Sequence, residues 1–230
     1  MLINVLLLSA TFSSLLLGLL IYIKSPKIPS NLFYFLFSLF LASWSFGMWM
    51  YAKDPFIYDR VLTWSKILHA TGILVALFLL LFSLTFPKNI SLPFRKATLI
   101  AMPALLMAII TLFTNYVIKS VNYLPGNRQL VYSSGYFLYF LFFATYLMTS
   151  LLILIKKYFK SKGIEKQQIK YIAGSITIAS ILSFIINMIL PALGNFKIAW
   201  LGPLVIFIIL VAIGYAITKH HLFDIKVIIT

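Results

Sequence analysis

Charge is distributed along this chain in a way that leaves few folds open. Seven stretches of more than 20 residues contain no Asp, Glu, Lys or Arg: 1–23, 28–52, 67–87, 97–118, 129–155, 171–196 and 198–218. An α-helix rises about 1.5 Å per residue, so roughly 20 residues cross a hydrocarbon layer about 30 Å thick. Each stretch is long enough to cross once and too short to cross twice. Inside lipid only helices and closed barrels satisfy their own backbone, and these runs lack the two-residue alternation of barrel strands. An all-α membrane protein follows, a bundle of seven transmembrane helices. The composition agrees: 62% of the chain is hydrophobic and 10% is charged, whereas soluble domains carry about 25% charged residues. A soluble globule and a disordered chain are both excluded.

The first stretch has no basic residue before its apolar run. It ends at Lys24-Ser25-Pro26-Lys27 rather than at a small-residue cleavage site, so it is read as a retained helix and not a signal peptide. Threading the chain back and forth then sorts the cations. Thirteen fall on one side: Lys24, Lys27, Lys88, Arg95, Lys96, Lys156, Lys157, Lys160, Lys162, Lys166, Lys170, Lys219 and Lys226. Five fall on the other (Lys53, Arg60, Lys119, Arg128 and Lys197), with Lys66 at the outer start of the third helix. Short loops rich in Lys and Arg stay in the cytoplasm, which puts the N-terminus outside and the C-terminus inside a plasma (inner) membrane. The same asymmetry accounts for the net charge of +15. Basic loops beside anionic headgroups explain it better than nucleic acid does.

Two connections stand out. Residues 116–134, outside, place Pro125-Gly126-Asn127 between two runs rich in Val, Ile and Tyr. That pattern predicts a short extracellular β-hairpin between helices 4 and 5. Inside, Lys156 to Lys170 reads as a polar, basic connection, with Glu165-Lys166-Gln167-Gln168 opening the sixth helix. Short loops elsewhere predict antiparallel packing of consecutive helices. Pro103 and Pro203 predict kinks in helices 4 and 7, and Gly174, Ser175, Ala179 and Ser180 suit a close helix contact.

Polar groups within a membrane are costly and therefore point to function. None of the four carboxylates, Asp54, Asp59, Glu165 and Asp224, lies within an uncharged stretch, and there is no Cys. No disulfide, thiolate metal site or thiol nucleophile can form. Ser65 and His69 stand one helical turn apart but lack an orienting carboxylate, so a hydrolytic centre is not expected. A lone intramembrane His, His69, is a poor metal site, and no cofactor is expected. What remains is a polar and aromatic set in the outer half: Trp44, Lys66, His69 and Asn187, with Trp49 and Trp200 nearby. Interfacial anchoring and helix-to-helix bonding explain such residues most simply; a ligand site is the functional reading.

Several segments together resemble a known family. Glu165-Lys-Gln-Gln-Ile-Lys-Tyr-Ile-Ala-Gly174 opens helix 6, and Asn187-Met-Ile-Leu-Pro191-Ala-Leu-Gly194 closes it. Leu201-Gly-Pro203 begins helix 7, and the chain ends Gly214-Tyr-Ala-Ile-Thr-Lys-His-His-Leu-Phe-Asp224-Ile-Lys-Val-Ile. With Leu84-Thr-Phe-Pro87 and Trp44, these resemble the seven-helix N-terminal sensor region of bacterial membrane histidine kinases. The resemblance implies a sensory input domain over 1–218 and a cytoplasmic coupling segment over 219–230, in which Leu222, Phe223, Asp224 and Ile225 pass the signal on. Its implied partners are the bilayer, a signalling output domain in cis or in trans, a second copy as a homodimer, and a small-molecule or lipid ligand. No dimerisation-phosphoacceptor helix or ATP-binding Gly-rich motif is present, and His220-His221 lack the acidic neighbour of a phosphoacceptor, so these residues are not expected to be an enzyme. A small transporter or permease subunit is the rival class. The duplicated halves and discontinuous helices that would favour it are not evident in the sequence.

Overall fold

The computed structural model describes residues 2–53, 58–88, 90–124, 127–186, 190 and 198–224, with the side chains of 58–59, 123–124, 127–128, 184 and 216–224 not described. Among the described residues seven helices and one hairpin appear in this order: α1 (Leu2–Lys24), α2 (Pro29–Lys53), α3 (Tyr58–Thr85), α4 (Phe94–Phe113), β1 (Ile118–Leu124), β2 (Asn127–Tyr132), α5 (Gly135–Lys160), α6 (Gly163–Phe184) and α7 (Leu201–Asp224). The first five helices are long and apolar enough to cross a membrane; the described apolar part of α7, Leu201–Tyr215, is shorter. α6 falls outside that set because its opening turns carry Glu165, Lys166, Gln167, Gln168 and Lys170.

The uncharged stretches mark α1 and α2 almost to the residue, but three boundaries differ in instructive ways. α3 begins at Tyr58, so Lys66 stands about two turns inside the helix rather than at its start. The fifth stretch, 129–155, is shared between β2 and α5. The basic connection expected over Lys156–Lys170 shrinks to Ser161 and Lys162, because α5 continues to Lys160 and α6 opens at Gly163. Gly163 has φ +56°, a left-handed setting that glycine adopts without a Cβ penalty, and this allows the tight reversal.

α3 is the pillar of the bundle. It packs against α2, α4, α5 and β1, and 67% of its apolar window is buried, against 22% for α4 and for α5. One of its faces, with Val75, Leu79 and Phe82, joins Tyr34, Phe37 and Leu41 of α2 and Ile206, Ile209, Leu210 and Ile213 of α7. Another face, with Ile73, Leu77 and Leu80, packs on Ala104 and Met107 of α4, Val117 and Ile118 of the hairpin, and Tyr139 and Tyr146 of α5. Consecutive helices are mostly neighbours, as expected, but α4 and α5 touch only marginally. The hairpin separates them, and Tyr146 Oη reaches across to the Ile100 carbonyl at 2.5 Å.

Most buried hydroxyls turn back to their own helix: Thr11 to Leu7, Ser65 to Val61, Ser83 to Leu79, Thr111 to Met107 and Ser150 to Tyr146. A polar side chain bonded this way needs no water. Pro103 lies inside α4. Pro203 instead occupies the first turn of α7, where backbone N–H groups have no intrahelical acceptor, so it does not interrupt the helix. Among the described residues Gly174 faces open space and makes no close helix contact, contrary to expectation, whereas Ala179 is fully buried. The close approach occurs elsewhere: a Cβ on Gly18 of α1 would collide with the Ser38 hydroxyl of α2.

Candidate functional site

The hairpin is antiparallel, with Ile118 opposite Tyr132 and Leu124 opposite Asn127; the register shifts between Ile118 and Ser120, leaving Lys119 as the extra residue of a bulge. The Pro125-Gly126 turn lies outside the described residues. Val117, Ile118 and Val121 are buried, which seats the strand pair on α3. The base of the hairpin is closed by Ser133 N donating to the Val117 carbonyl and Gly135 N to the Tyr116 carbonyl, both at 3.0 Å. Any side chain on Gly135 would run into Tyr116. Bulge and closure together deliver Tyr132 to the end of the bundle.

There Tyr132 meets His69. The His69 ring lies 5.8 Å from that of Tyr132, 6.2 Å from Tyr136 and 5.4 Å from Tyr139, while Tyr132 and Tyr136 stack at 3.8 Å. His69 Nδ1 is 2.8 Å from the Ser65 carbonyl. A carbonyl only accepts, so this bond puts the proton on Nδ1. Tyr139 Oη donates to the His69 carbonyl at 2.9 Å. Burial and the neighbouring Tyr136 push the Tyr132 hydroxyl above the usual tyrosine range, so it stays neutral. One imidazole and three phenols thus join α3, the hairpin and α5. His69 is conspicuous in the sequence as a lone intramembrane histidine, and the tyrosines are not. Their trace was available in Tyr136 and Tyr139, three apart on one helix face just beyond the hairpin.

Ser65 and His69 do not form a catalytic pair: the Ser65 hydroxyl donates to the Val61 carbonyl at 2.7 Å, and the imidazole bonds the Ser65 backbone. Among the described residues no group of three or more His, Cys, Asp or Glu is placed to hold a metal ion. Lys66 Nζ donates to Asn115 Oδ1 at 2.8 Å, bracing α3 against the segment before β1. Trp44 packs on a different face, with Trp49, Tyr51 and Trp200 around Leu7, Met48 and Leu68. Trp49 Nε1 is buried without a hydrogen-bond partner among the described residues, and Lys53 Nζ sits 4.7 Å above its ring. His69 and Lys66 therefore gather at the hairpin, while Trp44 belongs to an adjoining aromatic cluster. Asn187 lies outside the described residues.

At the opposite, lysine-rich end, Lys157 of α5 donates to the carbonyls of Ser83 and Leu84, each at 2.8 Å, and to that of Phe86. The last carbonyls of a helix have no intrahelical donor, and the helix dipole favours a cation there. Lys157 thus caps α3 at the Leu84-Thr85-Phe86-Pro87 segment, a role that simple counting of loop charges does not reveal. Ser30 Oγ reaches Thr85 Oγ1 at 3.2 Å, and Asn31 Nδ2 donates to the Ser25 carbonyl at 3.1 Å. α7 continues as one helix to Asp224, so Leu222, Phe223 and Asp224 lie on its final turn; Ile225 lies outside the described residues.

No curated protein matches the chain. A family model described as the N-terminal 7TM region of histidine kinase matches residues 5–226, from the first turns of α1 to just past the end of α7. The seven-helix bundle, its apolar spans and this near-complete match lead to one assignment: the chain belongs to the histidine kinase N-terminal seven-transmembrane family.

Proposed function

We propose that this chain is a sensory input domain of a bacterial plasma membrane, with its N-terminus and hairpin outside and its lysine-rich end in the cytoplasm. A small molecule or lipid at the hairpin end shifts the balance between two packings of the bundle. α7 carries the change to a cytoplasmic kinase domain in cis, or to an output protein in trans, within a homodimer. Residues 1–218 form the sensor and 219–230 the coupling segment, with Leu222, Phe223, Asp224 and Ile225 as its contacts. The chain itself performs no chemistry; it supplies differential binding to two states, which is what an effector needs in order to act at a distance.

The observation that carries this reading is the contact of the His69 ring with Tyr132, Tyr136 and Tyr139. It ties the hairpin, whose Lys119 and Asn122 are exposed and able to meet a stimulus, to the most buried of the long apolar helices. Lys66 and Trp44 flank this region, and Asn187 belongs to the same outer half by sequence.

Two measurements test the proposal. Because the chain has no Cys, single substitutions label cleanly: Tyr123→Cys should react with an impermeant maleimide in intact cells, and Lys162→Cys only after permeabilisation. The reverse pattern would falsify the orientation. In a histidine kinase carrying this region, His69→Ala and Tyr132→Ala should change autophosphorylation at unchanged membrane abundance. Unaltered output in both would show that the cluster only packs.

A further inference from the structure

Tyr34 of α2 is fully buried, and its hydroxyl leaves its own helix to donate to the Leu210 carbonyl of α7 at 3.0 Å. The approach depends on Gly214, one turn further along α7. A Cβ built there would stand 2.9 Å from the Tyr34 hydroxyl, but 3.8 Å from ring atom Cζ and 3.6 Å from Ile21 Cδ1 of α1. The ring itself therefore leaves room for a methyl group, and only the phenolic oxygen forbids one. On the other side the Tyr34 ring lies 6.4 Å from Phe82 of α3, the helix that carries His69. One side chain meets α3 and α7 from α2.

We infer that Tyr34 is a positioning residue that sets the rotation and height of α7 in the resting bundle, with Gly214 as its receiving notch. A helix turns about 100° per residue, so a rotation of α7 by one position would bring the Ile213 or Tyr215 side chain towards the phenol in place of the notch. The contact is thus satisfied at one azimuth, and packed interfaces switch between discrete settings rather than sliding. Seating α7 in this way controls output only if α7 is the relay, so the regulatory part of the inference rests on the function proposed above.

The test separates the two. Nitroxides on Lys27→Cys and Val211→Cys report the placement of α7 in the purified 230-residue chain reconstituted in nanodiscs. Gly214→Ala should shift the distance distribution, Tyr34→Phe should broaden it, and the pair Tyr34→Phe/Gly214→Ala should return it to the parental peak, since removing the oxygen frees the space the methyl needs. Should Gly214→Ala fail to fold, recovery of folded protein in the pair supports the same complementarity. An unmoved distance in Gly214→Ala, or a pair no better than Gly214→Ala alone, overturns the inference. In a kinase carrying this region, Gly214→Ala should change basal autophosphorylation about fivefold or more, with the pair restored. A helix that moves while output stays constant leaves the notch standing and refutes the relay.

Discussion

The two ends of the bundle are held by opposite chemistry. At the hairpin end the buried ties are neutral and aromatic, an imidazole among three phenols with Tyr139 bonded to the His69 backbone, and the charged bond there, Lys66 to Asn115, is exposed. At the lysine-rich end a charged ammonium gathers carbonyls at the close of α3, beside a buried amide and paired hydroxyls. Bonds to a charged group contribute about 1.5–3 kcal/mol, whereas neutral interhelical bonds in membranes average about 0.6 kcal/mol. α3 is thus clamped firmly at one end and weakly at the other. In the function proposed above, a stimulus at the hairpin end would act on the weaker ties, with the lysine-rich end as the fixed reference.

The largest expected effect tests the clamp. Lys157→Met keeps the apolar stem and removes the ammonium, leaving the terminal carbonyls of α3 without their donor. It should cost about 2–3 kcal/mol, read as a fall in Tm by tryptophan fluorescence in detergent. A Tm within error of the parent would mean that the two ends do not differ in the way described. Gly135→Ala comes next. Forcing a methyl against Tyr116 should cost about 1–3 kcal/mol and speed hydrogen exchange of the 118–132 amides more than that of α3. Equal exchange would show the hairpin to be independent of its closure.

Alkaline titration sharpens the neutral side of the comparison. The folded Tyr132 pKa is raised, so its contribution is complete below the unfolded value of about 10 and is lost as pH rises towards the folded value. Over that window the parent should lose up to about 1.4 kcal/mol per pH unit more than Tyr132→Phe does. Parallel Tm curves between pH 9 and 11 would remove Tyr132 from the aromatic cluster. The smallest effect is Lys66→Ala. Its bond to Asn115 is exposed, so Tm should not move measurably, and any change should appear only in the response to a stimulus. A loss comparable to that of Lys157→Met would erase the contrast between the ends.

Much of the architecture was legible because lipid enforces a simple rule. Charges are excluded from spans, so α1 and α2 could be read from charge positions alone, and the Pro-Gly turn between Val- and Tyr-rich runs announced the hairpin. The rule blurs at helix ends, where a charge can stand within a helix. Lys66 reaches from α3 to an exposed bond with Asn115, and Lys157 remains helical because α3 offers it carbonyls. The candidate site was half visible. His69 stood out as the one His inside a span, whereas tyrosines are common in membrane proteins and give no such signal. Gly174, which suits a close contact by its size, faces open space; Gly18, Gly135 and Gly214 are the glycines at which a Cβ would come within 3.0 Å of a neighbour.

By itself the sequence determined the solvent and the general plan: apolar runs of one membrane thickness must become helices, and lysine-rich loops must gather on one side. Only the tertiary structure decided which helix is central, which end is clamped by charge, and which side chains from distant segments meet. Hydrophobicity is a property of each segment and can be read locally, whereas hydrogen bonds and steric notches depend on orientation between segments. Tyr34 and Leu210 are separated by 176 positions in sequence and by 3.0 Å in space, and only the packing of the whole bundle brings them together.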